Sequence, residues 1–112
     1  MILIRKLSGI FTKAKAMDKS YYMYVLLTAD NTFYGGFTDD VGKRFATHEA
    51  GKGAKYTRPA SRHPLKLLYA EAFATKREAL HAEAVFKKLK RTDKVAFLRE
   101  HGVTDFTPAK RD

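Results

Sequence analysis

Three stretches of this chain have the residue pattern of β-strands, in which successive side chains point to opposite faces. The first runs from Tyr21 to Thr28, is rich in aromatic and aliphatic residues, and contains neither glycine nor proline. Turn-forming residues follow at 29–32, and the chain returns from Thr32 to Phe37. These segments predict an antiparallel hairpin, and Leu65 to Phe73 predicts a third strand.

Helical spacing of apolar residues predicts three helices after the hairpin. The first helix ends at Gly51. Its core-facing stripe at i, i+4 and i+7 consists of Val41, Phe45 and His48. Thr75 and Glu78 match the capping box T-x-x-E and open a second helix that reaches about Lys90. A short last helix is expected from Lys94 to Glu100.

The element order β-β-α-β-α-α predicts an α+β domain, and 112 residues are enough for one domain. We expect the domain to occupy residues 17–102. Residues 1–16 have a short apolar start followed by lysines, which matches no secretory signal. Because Met17 would serve as a natural start, this extension is expected to be either a non-native start or a loosely packed helix. Residues 103–112 predict a C-terminal tail.

The net charge of +10 favours a polyanionic partner, although a solvated basic surface without a ligand would also explain it. The positive residues concentrate at positions 43–62 and 87–99. No run of 18 apolar residues is present, so we expect neither a transmembrane helix nor a membrane partner. The absence of cysteine excludes disulfides and fits a cytoplasmic protein.

Five polar side chains could carry chemistry: Tyr24, Tyr34, Arg44, His48 and Glu83. Each has an ordinary explanation when considered alone. Tyrosines favour strands, a histidine on an apolar stripe is usually packed in the core, and an isolated arginine is usually on the surface. Glu83 borders the apolar face of its helix, where pairing with Lys87 at i, i+4 is the expected alternative to a ligand role.

Taken in order along the chain, these residues resemble the motifs of the GIY-YIG nuclease superfamily. The triplets Tyr22-Met23-Tyr24 and Tyr34-Gly35-Gly36 lie on the two predicted hairpin strands. Arg44 and His48 share a face of the following helix, and Glu83 lies on a later helix. Tyr24 and Tyr34 are similar to the two motif tyrosines, and Gly36 matches the closing glycine in a structural role.

The resemblance covers Tyr21 to Leu98 and is closest to small stand-alone bacterial members, which are similar to the nuclease domain of an excision-repair endonuclease. Two positions depart from the family name. Tyr22 stands where the first triplet has glycine, and Gly35 stands where the second has isoleucine. Both are variable spacers in the stand-alone group. The resemblance implies a small three-stranded antiparallel sheet flanked by helices.

The resemblance also implies a metal-dependent endonuclease acting on DNA. Glu83 would bind Mg²⁺ or Mn²⁺, which keeps several waters and contacts substrate phosphate. Arg44 would clamp a phosphate oxygen. Tyr24, with its pKa lowered by nearby cations, would take the proton from the attacking water, and His48 would orient or relay that proton.

The basic loop at residues 51–59 is expected to be mobile; it can follow a phosphate backbone, and its aromatic residue can stack a base. The side chains expected to contact nucleic acid are Lys43, Lys52, Lys55, Tyr56, Arg58, Lys87 and Lys88. No separate DNA-reading module is visible, so we expect structured or single-stranded DNA in repair or recombination, with targeting by a protein partner. A non-catalytic module binding DNA or RNA, and a ribosome-associated basic protein, are the alternatives. The oligomeric state stays open.

Overall fold

The computed structural model describes residues 3–5 and 19–110 and arranges four strands in one sheet. The strands are β1 (Leu3–Arg5), β2 (Tyr21–Leu27), β3 (Phe33–Thr38) and β4 (Lys66–Phe73), in the order β1-β4-β2-β3. β2 pairs antiparallel with both β3 and β4, so the expected three-stranded antiparallel sheet is confirmed.

β1 was not expected. Its three residues pair parallel with β4, with Leu3 opposite Tyr69 and Arg5 opposite Glu71. At residues 3–5, therefore, the expected loose helix is wrong. The remainder of that N-terminal segment lies outside the described residues. Nothing in the local sequence marks this pairing, because its partner strand comes more than sixty residues later.

The turn between β2 and β3 is closed by backbone hydrogen bonds. Thr28 donates its N–H to the Thr32 carbonyl, and Asn31 donates to the Thr28 carbonyl, both at 2.9 Å. Asn31 has a φ of 66°, in the left-handed region that asparagine tolerates. The turn fixes the register that places Tyr24 opposite Gly36.

Three helices follow: α1 (Val41–Glu49), α2 (Lys76–Lys88) and α3 (Arg91–Glu100). Asp40 caps α1 by accepting the N–H of Lys43 at 3.0 Å. The expected capping box of α2 is confirmed, since Thr75 and Glu78 exchange hydrogen bonds of 3.1 and 3.2 Å. Two single-turn 3₁₀ helices, Lys55–Thr57 and Ala60–Arg62, lie between α1 and β4.

The sheet separates two apolar clusters because successive side chains of a strand point to opposite faces. Met23, Val25 and Leu27 of β2 pack with Phe86 of α2 and Leu98 of α3. On the opposite face, β2 and β4 residues pack against α1; this cluster contains Tyr24, Leu26, Leu65, Leu67 and Ala70, with Val41 and Phe45 half-buried against it. α1 therefore covers one face, and α2 and α3 cover the other.

The C-terminal segment is more ordered than the expected tail. Val103 is buried in the core beside α2 and α3, and Phe106 packs against the same cluster. Lys66 on β4 also pairs with Asp105 at 3.0 Å. The tail assignment is therefore wrong at residues 103–106. Among the residues described, no helix has the length and apolar character needed to cross a bilayer.

Candidate active site

Tyr24 reaches across the neighbouring strand because that strand has no side chain at the crossing point. Tyr24 on β2 is directly opposite Gly36 on β3. A Cβ atom added to Gly36 would lie 2.4 Å from the phenolic oxygen of Tyr24, well inside van der Waals contact. Any side chain at position 36 would therefore displace the Tyr24 ring.

Beyond Gly36, the Tyr24 hydroxyl meets a buried histidine. Tyr24 Oη lies 2.7 Å from His48 Nε2, and the two rings meet edge to face with centroids 5.8 Å apart. Only 1% of Tyr24 is exposed, and His48 is fully buried. The helical periodicity of α1 therefore places His48 against Tyr24, although the same periodicity would also suit a histidine packed in the core.

His48 Nδ1 contacts a residue that the sequence did not suggest. Its distance to Thr57 Oγ1 is 2.7 Å, and Thr57 Oγ1 in turn donates to the Ala54 carbonyl at 3.1 Å. A hydroxyl has one proton, and a carbonyl only accepts. Thr57 therefore accepts from Nδ1–H, which makes the Nδ1–H tautomer of His48 the one that satisfies this network.

The protonation state of His48 determines the direction of the next bond. Burial, aided by the charge of Arg44, lowers the pKa of His48 to about 4. The imidazole is then neutral near pH 7, and its Nε2 carries no proton. Tyr24 must donate to Nε2, so the hydrogen bonds run from Tyr24 to His48, to Thr57 and to Ala54.

Gly53 gives His48 the space that it occupies. A Cβ atom added at Gly53 would lie 2.3 Å from His48 Nδ1, and the Gly53 carbonyl accepts from Arg58 Nε at 3.2 Å. Sequence reasoning missed both Gly53 and Thr57, because it considered this loop for its charges. The glycine that follows Lys52 was the available signal for a close approach.

Tyr34 lies at the centre of the aromatic and cationic contacts. Its ring centroid is 5.3 Å from that of His48 and 6.4 Å from that of Tyr24. Tyr56 stacks on it with centroids 6.0 Å apart, and Lys87 Nζ lies 5.6 Å from its centroid. Tyr34 thus links the buried Tyr24–His48 pair to the protein surface.

Tyr56 is held firmly against the hairpin. Its hydroxyl donates to Thr32 Oγ1 at 2.8 Å, and the guanidinium of Arg62 lies 3.8 Å from its ring centroid. Together with the stacking on Tyr34, these contacts fix the ring while leaving 39% of the residue exposed. Tyr56 therefore belongs to the wall of the site instead of a mobile loop.

Arg44 lies one helical turn before His48 and acts on both buried groups. Burial raises the pKa of Tyr24 to about 12, and the hydrogen bond and charge of Arg44 offset only part of this rise. The expectation that nearby cations lower the pKa of Tyr24 is therefore wrong. Arg44 does lower the pKa of Tyr24, as expected, but the loss of hydration of the phenolate raises that pKa by more than one guanidinium lowers it.

Glu83 approaches the same region from the opposite face of the sheet. α2 packs closely on β3 because Gly35 has no side chain; a Cβ atom there would lie 3.1 Å from Phe86. The charge of Glu83 is the smallest of the contributions to the raised pKa of Tyr24, and Lys87 links Glu83 to the Tyr34 ring, whose centroid lies 5.6 Å from Lys87 Nζ. Glu83 Oε2 also pairs with Lys87 Nζ at 3.0 Å, the i, i+4 contact expected as its ordinary alternative.

The ligand set suits a cation that needs few protein ligands. Residues 3–5 and 19–110 contain no group of three or more His, Cys, Asp or Glu side chains that could hold a metal ion. Mg²⁺ is commonly held by one or two carboxylates, waters and substrate phosphates. With 18% of its side chain exposed, Glu83 fits this pattern as a single protein ligand.

The side chains expected to contact nucleic acid are all on the surface: Lys43, Lys52, Lys55, Tyr56, Arg58, Lys87 and Lys88. Besides Tyr56, two of them have a structural contact. Arg58 binds the Gly53 carbonyl, and Lys87 pairs with Glu83. Lys87 thereby brings a positive charge next to both Tyr34 and Glu83.

Comparison with known proteins identifies a family. The family model of the GIY-YIG catalytic domain matches residues 20–96. The chain is 58% identical over 85 residues to a UPF0213 protein of Lactiplantibacillus plantarum, covering 76% of this chain and 84% of the relative. It is 61% identical over 85 residues to a UPF0213 protein of Lacticaseibacillus paracasei, covering 76% of this chain and 93% of the relative.

Two solution NMR structures are similar to this one. The protein EF2693 from E. faecalis is 48% identical, with a TM-score of 0.53. The UPF0213 protein BH0048 from Bacillus halodurans is 40% identical, with a TM-score of 0.50. Each match covers 74% of this chain and 86% of the other. With the family model spanning both hairpin strands, α1 and α2, the chain belongs to the GIY-YIG family, whose shared unit is a nuclease catalytic domain.

Proposed function

We propose that the protein is a metal-dependent endonuclease that hydrolyses phosphodiester bonds in structured or single-stranded DNA, in repair or recombination. The observation that carries the proposal is the directed hydrogen-bond chain from Tyr24 through His48 to Thr57. A buried histidine needs both ring nitrogens bonded in any role; what favours a catalytic role is that the acceptor nitrogen faces a motif tyrosine.

The charge distribution supports a nucleic acid as substrate. The net charge is +10, and Lys87, whose Nζ lies 5.6 Å from the Tyr34 ring centroid, is exposed. Phosphate contacts of this kind position a strand without reading its sequence. Sequence preference should therefore be weak, and a protein partner would supply targeting.

The proton transfer follows from the two pKa values. Since the pKa of Tyr24 is raised to about 12, free phenolate is scarce near pH 7. We infer a concerted shift in which water gives a proton to Tyr24 Oη while Tyr24 passes its own proton to His48 Nε2. The hydroxide formed attacks phosphorus. A bound phosphate adds negative charge near His48, which raises the pKa of the imidazole and favours the transfer.

Arg44 and Glu83 serve the phosphate. The guanidinium of Arg44 clamps a non-bridging oxygen and stabilises the charge that develops during attack. Glu83 would hold Mg²⁺ or Mn²⁺, which when bound supplies charge stabilisation to the leaving 3′ oxygen. Lys87 pairs with Glu83, and its ammonium group can leave that carboxylate and bind a substrate phosphate instead.

One observation favours a second candidate, a non-catalytic module binding DNA or RNA. Only 1% of Tyr24 is exposed, whereas a general base must touch the attacking water. In this alternative the buried pair of Tyr24 and His48 serves the packing of β3 and α1, and the basic surface alone binds nucleic acid.

Cleavage assays separate the two candidates. Labelled single-stranded, flap and duplex DNA are incubated with the protein and Mg²⁺ or Mn²⁺. We expect nicking by the natural protein and its loss in Glu83→Gln and Arg44→Ala, with binding and circular dichroism retained. Glu49→Gln, an exposed carboxylate on α1, is the matched control and should cleave normally.

Each result has a definite meaning. Tight binding without cleavage across DNA and RNA panels supports the non-catalytic module. Undiminished cleavage by Glu83→Gln removes the metal assignment while leaving the proton chain intact. Loss of cleavage in Glu49→Gln as well as Glu83→Gln indicates a general effect of lost negative charge, and overturns the specific role of Glu83.

A further inference from the structure

An open groove of about 330 Å³ lies along β3 where α2 and α3 meet it. Its walls combine aromatic rings with ammonium groups: Phe33, Tyr34, Tyr56, Phe86, Lys87 and Lys94. β3 is the outermost strand of the described sheet on this side, so the groove is open to solvent along its length.

Three rings of the groove are held in position without being enclosed, whereas Phe86 is buried. Phe33 and Tyr34 are half-buried, and Tyr56 is 39% exposed. Arg91 lies 4.5 Å from the Phe33 ring centroid and donates to the Asn31 carbonyl at 2.8 Å, which fixes the outer wall. Because Tyr34 and Arg62 occupy the two faces of the Tyr56 ring, a flat ligand would stack on Phe33 or Tyr34, and little side-chain entropy remains to be lost on binding.

The two lysines complete the chemistry of the groove. Lys94 Nζ lies 5.7 Å from the Phe86 ring centroid, and Lys87 Nζ lies 5.6 Å from that of Tyr34. An aromatic wall beside ammonium groups matches a nucleotide, whose base stacks and whose phosphate is anionic. A duplex keeps its bases stacked inside, so it has no free base to insert and should not use the groove.

The groove is continuous with the candidate active site through two shared residues. Tyr34 contacts His48 on one side and lines the groove on the other. Lys87 pairs with Glu83 and also lines the groove. A nucleotide held there would therefore lie next to the phosphate over Arg44 and Glu83.

We propose that this groove binds one unpaired nucleotide adjacent to the scissile phosphate, so that the substrate class is a single strand or an unpaired flap. This deepens the proposed function and rests on it for the position of the scissile bond. Binding of the nucleotide itself requires no cleavage, which allows the two ideas to be tested separately.

The test uses DNA in which one base is replaced by fluorescent 2-aminopurine, with chelator present so that no cleavage occurs. We expect quenching by stacking when single-stranded or flap DNA binds, and none with a fully paired duplex. Lys94→Gln should weaken the binding of single-stranded DNA about tenfold and leave the binding of duplex DNA unchanged. A loss of about tenfold is in the range expected for one contact with a nucleotide. Lys90→Gln, an exposed lysine just before α3, is the matched control and should alter neither affinity.

Two outcomes would overturn the groove assignment. One is the absence of quenching with any unpaired substrate. The other is an equal loss of single-strand and duplex affinity in Lys94→Gln, which would make Lys94 a general phosphate contact. If quenching and the selective Lys94→Gln effect are observed but the protein never cleaves DNA, the nucleotide site stands and the endonuclease proposal fails.

Discussion

Replacing Thr57 with valine tests the direction of the buried hydrogen-bond chain. Valine has nearly the same shape as threonine but cannot accept the Nδ1–H of His48. Two hydrogen bonds are lost, the 2.7 Å bond from His48 and the 3.1 Å bond to the Ala54 carbonyl. Both ring nitrogens of His48 are affected, because the imidazole is free to change tautomer.

The energetic cost is set mainly by His48. The Ala54 carbonyl still accepts the backbone N–H of Thr57 at 3.0 Å, so it keeps a partner. His48 is fully buried and cannot turn to water, so it keeps either an unpaired Nδ1–H or an unpaired lone pair. Leaving such a group unsatisfied costs about 1–3 kcal/mol. We expect Thr57→Val to lower the free energy of unfolding by this amount.

Thr57→Ser is the matched control, because it keeps the hydroxyl and loses only a methyl group. Urea unfolding gives the stability difference, and ¹⁵N–¹H correlation spectra of the imidazole distinguish Nδ1–H from Nε2–H. We expect the natural protein and Thr57→Ser to hold His48 as Nδ1–H. In Thr57→Val the Nε2–H form should become populated, which would reverse the bond with Tyr24.

Either of two results would overturn this assignment of the hydrogen-bond chain. An Nε2–H tautomer in the natural protein would mean that Tyr24 accepts from His48 and that the chain runs the other way. A Thr57→Val protein within about 0.5 kcal/mol of Thr57→Ser would mean that the hydroxyl does not satisfy a buried group. If the spectra show the expected tautomers of His48 but Thr57→Val cleaves DNA normally, the tautomer has no role in the proposed proton transfer.

Three further predictions concern the same site. Gly53→Ala places a Cβ atom against His48 and should cost about 1–3 kcal/mol in thermal unfolding, whereas Gly42→Ala, at an open helix position, should be neutral or stabilising. Folding lowers the pKa of His48 from 6.5 to about 4, so the imidazole of the unfolded chain takes up a proton at a higher pH than that of the folded chain. The free energy of unfolding should therefore fall as the pH drops from 6.5 toward 4. Titration of the imidazole above pH 6 in the folded protein would contradict this. Lys87→Gln should strengthen the binding of Mn²⁺, measured by calorimetry without DNA, because the ammonium group no longer competes for Glu83. An unchanged affinity would mean that Glu83 is not a ligand of the metal.

Local patterns in the sequence were sufficient for the hairpin, the helices and the motif residues. The turn at residues 29–32 and the capping box at Thr75 act over a few residues, so their signals survive without tertiary structure. The His48 stripe was also visible, because helical periodicity fixes which residues share a face.

The missed features depend on contacts between distant segments. Thr57 bonds to His48 only because the 3₁₀ turn at Lys55–Thr57 folds back over α1. The raised pKa of Tyr24 reflects burial by elements from both halves of the chain, whereas charge counting considered only nearby cations. β1 and the packing of Val103 likewise rest on partners far along the sequence.

The two adjacent glycines of β3 leave this strand without side chains on either face at that point. Gly36 leaves room for Tyr24 on the α1 face, and Gly35 leaves room for Phe86 on the α2 face. The buried hydrogen-bond chain therefore lies on the α1 face, whereas Glu83 belongs to α2 on the other face of the sheet. A side chain added at either glycine would fill space on a different face, so Gly36→Ala should displace the Tyr24 ring and Gly35→Ala should press on Phe86.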